Sequence, residues 1–268
     1  MPLAEIFGYL CAFIIGISLG LIGGGGSILA VPVLAYLFTV DEKVATAYSL
    51  FIVGASALVG GVKQHLKGYV NWRTAVLFGI PAVIGVSIVR HFVVPALPDI
   101  LFTVGDLDIT RRMGMFGLFA GLMIPAGFSM LKERSDSGSA AVKVTYSYSL
   151  IVTEGLVVGA ITGLIGAGGG FLIIPALVLL MGADMKVAVG TSLIIIAFKS
   201  LIGFLVGDVL KMEIDWGFLL SFTGLSLIGI FIGSYLSNFI DDVKLKKYFG
   251  YFIFAMAIFI FYVEFFVK

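Results

Sequence analysis

The sequence predicts a polytopic α-helical membrane protein, an all-α architecture whose two homologous halves form an inverted repeat. Each half is expected to hold a glycine-tipped hairpin, re-entrant or broken, and about three transmembrane helices. Three observations carry this reading. The 268 residues are 60% hydrophobic and only 12% charged, roughly half the charge of an ordinary water-facing domain. Continuous apolar runs, such as 74–95, 218–240 and 248–267, approach the ~20 residues of a membrane-crossing helix. Their lack of alternation disfavours a β-barrel. Finally, one unusual stretch occurs twice.

Gly20 to Pro32 reads GLIGGGGSILAVP and Gly163 to Pro175 reads GLIGAGGGFLIIP, eight of thirteen residues being identical at a separation of 143. Downstream, KVATAYSL (Lys43–Leu50) overlays KVAVGTSL (Lys186–Leu193), five of eight identical. After one inserted residue Asn71-Trp72 matches Asp215-Trp216, and Gly85 falls on Gly229. The halves are therefore 1–131 and 147–268, joined by a polar linker, 132–146, that contains KERSDSGSAAVK. Internal duplication of this kind is common among secondary transporters.

The first half carries apolar segments at about 5–22, 27–38, 44–62, 74–94 and 113–131. The second repeats them at about 147–165, 170–181, 187–206, 217–240 and 248–267. The opening segment has no basic start and no clear cleavage site, so it reads as a retained membrane segment. Each second segment has about 12 residues, ~18 Å of helix, too short for ~30 Å of hydrocarbon. With its glycines it reads as the returning arm of a hairpin.

Charge chooses between two topologies. If segments one and two return to their starting face, ten basic residues, Lys67 and Lys186 among them, share one face against six on the other. If they make one broken crossing, the halves are parallel and the same residues divide eight against eight. The positive-inside rule favours the inverted form, with the linker in the cytoplasm.

In that form the hairpins enter from opposite faces, and each short arm starts near the midplane, at Ser27 and at Gly170. A helix N-terminus presents unpaired N–H groups and partial positive charge. Gly23, Gly24, Gly25 and Gly26, and Gly166, Gly168, Gly169 and Gly170, permit positive φ and close ligand approach. Irregular backbone at that depth belongs where it is buried or lines a cavity. Two facing tips suit an anion, whereas a single glycine is more simply a packing device. Pro32 and Pro175 have a structural role, bending the short arms.

Hydroxyls near the tips are Ser49 and Ser192, at equivalent positions, with Thr46, Tyr48 and Thr191 around them. On such a helix they can donate to a bound oxyanion without the cost of a buried charge, although any one of them alone defaults to bonding its own backbone. Lys199 lies in mid-segment, where an unpaired ammonium is costly; it should face a carboxylate, a watery cavity or an anionic substrate, or snorkel. Its repeat counterpart is Ser56. Glu154 is a candidate partner or proton carrier. Arg90, His65 and Arg111-Arg112 lie near segment ends and read as topology or rim residues.

Other chemistries find no support. A single cysteine, Cys11, excludes an internal disulfide or a cysteine-based metal cluster. Two histidines with no constellation around them give no metal site, no cofactor and no hydrolase triad. A net charge of +1 makes no case for nucleic acid. The expected partners are the lipid bilayer, a small anionic substrate and a coupling ion, proton or sodium.

The duplicated GLIGGGGSILAVP and GLIGAGGGFLIIP, with KVATAYSL and KVAVGTSL behind them, resemble the sulfite exporter TauE/SafE family, also called the toluene sulfonate uptake permease family. The resemblance spans nearly the whole chain and rests on Gly23 to Gly26 with Pro32, and on Gly166 and Gly168 to Gly170 with Pro175. Ala167 departs from it, opposite Gly24. Membership implies an inner-membrane permease for sulfite or an organosulfonate, coupled to an ion gradient; the expected mechanism is alternating access around the hairpin tips, with no enzymatic step. A passive anion channel on the same scaffold is the alternative.

Overall fold

The computed structural model describes residues 3–104, 107–131, 148–180, 182 and 184–266; the linker 132–146 lies outside them. Helix α1 (Leu3–Ile22) meets α2 (Gly25–Pro32) through the glycine turn. Pro32 supplies no N–H and crowds the carbonyl of the preceding turn, and the chain widens directly after it into a π turn, Val33–Leu37. Helix α3 (Glu42–Leu66) begins where the Asp41 carboxylate accepts from Lys43 N at 2.9 Å. Asn71 caps α4 (Trp72–Ile88) by accepting from Thr74 N. That helix runs on through a second π turn, Val89–Val93, into the single turn α5 (Val94–Ala96).

Strands β1 (Ile100–Val104) and β2 (Leu107–Thr110) then lead to α6 (Arg111–Leu131). The second half holds α7 (Tyr148–Ile165), α8 (Gly170–Leu180), α9 (Met185–Gly207), α10 (Trp216–Leu236) and α11 (Asp242–Phe266). Asp215 caps α10 through Phe218 N, as Asn71 caps α4. Among the described residues six helices are long and apolar enough to cross a membrane, three in each half.

The all-α expectation is corrected at one place, the antiparallel β1–β2 hairpin that pairs Phe102 with Ile109 and Thr103 with Asp108. The sequence ILFTVGDLDIT carries β-formers on either side of Gly-Asp, a pattern that closes a hairpin when an anchor holds its base. Arg111 is that anchor: it donates to Leu97 O at 3.3 Å, to Asp99 at 2.7 Å and to Glu42 on α3. Arg111→Ala is expected to cost about 2 kcal/mol, the range of a charged hydrogen-bond set near water. A thermal midpoint unchanged from the parent would remove this anchoring role.

Lipid offers no hydrophobic drive between helices, so close approach of small residues carries their association. Here it is extreme. Gly16 on α1 lies against Ser226 and Gly229, and Gly20 against Ile230 and Gly233, so α1 and α10 run in the same sense. On the other side Gly155 meets Phe78, Gly159 meets Ala82 and Gly163 meets Val86, so α7 and α4 also run in the same sense. By contrast α3 and α9 run oppositely, Gly54 meeting Leu201 and Gly61 meeting Ile194. Gly117 against Phe265 and Gly250 against Met130 and Leu131 set α6 and α11 in opposite senses as well.

Candidate functional site

The two glycine turns meet at the centre of the molecule. Gly24 and Gly170 are in direct backbone contact, and a Cβ on Gly168 would come within 3.0 Å of Ser27 Cβ. Each turn also reaches across onto the third helix of the other half, Gly23 against Val189 on α9 and Gly166 against Thr46 on α3. These partners are equivalent in the repeat, since 46 and 189 differ by 143.

Sequence equivalence ends at the conformation of the turns. In the first turn only Gly23 has positive φ (74°), and α2 starts at Gly25. Ser27 Oγ donates to Gly24 O at 2.6 Å and closes that first helical turn. The second turn has Gly170 in place of Ser27 and no such hydroxyl. There Gly166, Gly168 and Gly169 all have positive φ (74°, 63° and 79°), and α8 starts two positions later by repeat register. L-residues with a Cβ avoid that conformation.

Around this opened second turn stands a polar cluster. Lys199, fully buried, donates to Thr162 on α7 at 2.6 Å. A Cβ on Gly169 would lie 3.1 Å from Lys199 Nζ, which places the ammonium directly over the left-handed backbone. Arg90, also fully buried, donates from Nη1 to Thr46 Oγ1 at 3.2 Å and to Asp208 Oδ1 at 3.3 Å. It packs directly on Gly207 of α9, eight residues beyond Lys199 on the same helix. Among the described ion pairs Lys199 has no carboxylate, so Glu154, half-buried on α7, is not its partner. The first turn lacks these groups. Repeat register puts Leu19 opposite Thr162, Val189 opposite Thr46, Ser56 opposite Lys199, Ser234 opposite Arg90 and His65 opposite Asp208.

The remaining residues singled out in the sequence fall in several places. Gly25 sits beside Ser18, and Gly26 against Ile15 and Leu19. Ser49 is buried with its hydroxyl unpartnered. Thr191 accepts from Asn71 N at 3.0 Å, in the loop before α4, and Ser192 donates to Val189 O on its own helix; the cluster at the second turn is built without them. Pro175 lies inside α8.

A cavity of about 820 Å³ opens elsewhere, lined by Tyr36, Asp41, Glu42, Asp99, Arg111, Arg112 and Glu264 among others. Arg112 donates to Glu264 at 3.3 Å and covers the Tyr36 ring at 5.1 Å. Four carboxylates face two guanidiniums there, so this chamber does not favour anions. The cluster at the second glycine turn has the opposite balance, two buried cations and one carboxylate among the described residues.

The family model described as Sulfite exporter TauE/SafE matches residues 8–260. The chain belongs to the TauE/SafE family. Among curated relatives, this TauE/SafE chain is similar to a probable membrane transporter protein of Xylella fastidiosa (strain 9a5c). They are 31% identical over 92% of this chain and 91% of the relative. The probable membrane transporter protein YdhB of Bacillus subtilis is 25% identical over 89% of this chain and 92% of its own. MJ0441 of Methanocaldococcus jannaschii, also named a probable membrane transporter protein, is 36% identical over 41% of this chain and 43% of its own.

In this TauE/SafE protein sequence reasoning missed Arg90 and gave no role to Asp208. Proximity to a segment end marked Arg90 as a rim residue, but α4 runs on through its π turn to Ala96, which draws Arg90 fully inside. The available signal was VIGVSIVRHFVVP, apolar on both sides of the charge.

Proposed function

We propose that this TauE/SafE protein is a secondary transporter of a small sulfur-containing anion, sulfite or an organosulfonate. It works by alternating access in the cell inner membrane, coupled to a proton or sodium gradient. One observation carries the proposal: Lys199 is fully buried beside the left-handed Gly169, with a hydroxyl and no carboxylate as its described partner. A lysine at the centre of a membrane helix costs about 2.5–3.5 kcal/mol on insertion scales. A bound monoanion offsets that cost, and left-handed glycines let its oxygens approach the backbone. The site is single and off-axis, because the first turn has Ser56 and Leu19 where the second has Lys199 and Thr162.

We read the halves as an inverted repeat, each hairpin being re-entrant. What supports this is the set of helix senses: α1 with α10, α7 with α4, α3 against α9 and α6 against α11. Joined by short loops, those senses reverse every helix of one half relative to its counterpart. The charge pattern agrees. Gly190, one turn from Lys186 on α9, meets Tyr69 and Gln64 on either side of Lys67, which sets Lys186 beside Lys63 and Lys67. A parallel repeat would part Lys186 from the other two.

The test is transport in proteoliposomes together with binding by thermal shift. Sulfite or a sulfonate at a hundred times its dissociation constant should add about 2.7 kcal/mol of stability, and flux should saturate and run uphill when a proton or sodium gradient is imposed. Flux that never saturates and never runs uphill would make the protein a channel. Stabilisation by acetate and chloride as strong as by sulfonates would refute the substrate class.

A further inference from the structure

We propose that Arg90 is a second cationic ligand of the transported anion, and that Asp208 holds its place in the anion-free protein and is displaced when the anion binds. This rests on the anion site proposed at the second glycine turn and names a further residue of it.

Arg90 is fully buried, yet its Nε and Nη2 have no partner. A buried guanidinium ordinarily satisfies its donors, since each orphaned charged donor carries a desolvation cost. Its one engaged nitrogen, Nη1, is shared between Thr46 at 3.2 Å and Asp208 at 3.3 Å. Charge-assisted N–H···O bonds are normally about 2.7–2.9 Å. The ion pair is therefore long and single-pronged, although both groups have a second arm to offer. Asp208 Oδ2, likewise buried, has no partner either.

A guanidinium–carboxylate pair left this open is one made to exchange. A sulfonate or sulfite presents coplanar pairs of oxygens that match the two free donors of Arg90, geometry that a lysine ammonium does not offer. The charges agree: two buried cations, Arg90 and Lys199, stand against the single carboxylate of Asp208. The cluster without ligand is one negative charge short. A monoanion between Lys199 and Arg90 balances it. Thr46 links the two ligands spatially, because it touches Gly166 of the opened turn and accepts from Arg90. Asp208 ends α9, nine residues beyond Lys199 on the same helix, so its release from Arg90 passes the arrival of the anion directly to the end of α9.

The experiment is a titration of the purified protein with methanesulfonate and with sulfite, read by thermal shift. The variants are Lys199→Met, Asp208→Asn, Arg90→Lys/Asp208→Asn and Arg90→Met/Asp208→Asn. Removing the internal competitor, Asp208→Asn should bind the anion at least threefold more tightly than the parent. In that background Arg90→Lys keeps the charge but loses the fork, and should lose at least fivefold. The Arg90→Met/Asp208→Asn protein removes both buried charges together, so it keeps the fold measurable, and it should lose more than tenfold relative to Asp208→Asn.

Equal affinity of the Arg90→Lys/Asp208→Asn and Asp208→Asn proteins would overturn direct ligation by Arg90. An Asp208→Asn protein that binds no better than the parent would overturn the displacement. If Lys199→Met loses binding while the Arg90 variants keep it, this inference fails and the anion site stands. If neither anion stabilises the parent, the site itself fails.

Discussion

Replacing Gly170 with alanine is expected to destabilise the protein by about 3 kcal/mol or more, and Gly170→Val to prevent recovery of a monodisperse protein. The new Cβ would fall on Gly24 Cα, 2.9 Å from Ile196 Cδ1 and 3.3 Å from Gly23 O. Overpacking a core against mobile side chains costs about 1–3 kcal/mol; here the obstacle is the backbone of the opposing turn, which has no rotamer to change. Gly24→Ala meets the same obstacle from the other side, running into the backbone of Gly170. The comparison is with Gly121 on α6 and Gly224 on α10, which have nothing within 4 Å of a new Cβ. Alanine there should be neutral or stabilise by up to about 1 kcal/mol, through helix propensity alone. Thermal midpoints of the four alanine variants decide the matter. If Gly170→Ala melts with Gly121→Ala, the turns do not touch as described.

Lys199→Met is expected to move stability and binding in opposite directions. Removing an ammonium that has no carboxylate relieves its desolvation cost, so the anion-free protein should melt at the parental temperature or above it. The same change deletes the charge beside Gly169. Anion affinity should fall more than tenfold, equivalent to more than ~1.4 kcal/mol. A lysine kept for architecture predicts the reverse: lower stability on losing the 2.6 Å bond to Thr162, and unchanged affinity. Stability given up for a functional charge is a common pattern in binding sites. Differential scanning fluorimetry with and without sulfite reads both quantities from one sample.

Much of this arrangement was legible in the chain because membrane-crossing length and internal repetition are both one-dimensional signals. A 12-residue arm after a glycine run cannot span hydrocarbon, and the structure gives α8 eleven residues. The caps were equally readable, since Asn71 and Asp215 precede the matched tryptophans. Arg90 was not readable. Its burial depends on the π turn that extends α4 and on the packing of Gly207 against it, and neither is local. The difference between the two turns was hidden as well. Both contain Gly-Gly at the same register, yet the turn that Ser27 closes with its hydroxyl starts helical and the other starts left-handed. The hairpin β1–β2 went unread because its strands are short and its anchor, Arg111, works through Glu42, 69 positions away.

The glycine seams of α1 with α10 and of α7 with α4 have a consequence for how the molecule divides. The boundary at the linker separates the sequence into two copies, but each copy has lent its opening helix to the other. A motion that pulled the copies apart would have to break both seams, where backbone lies on backbone with no side chain between. Rigid bodies in this fold are therefore mixed, each made of helices from both copies, with α1 held to α10 and α7 held to α4. A polypeptide of one copy alone would therefore lack the helix against which its opening helix packs its glycines.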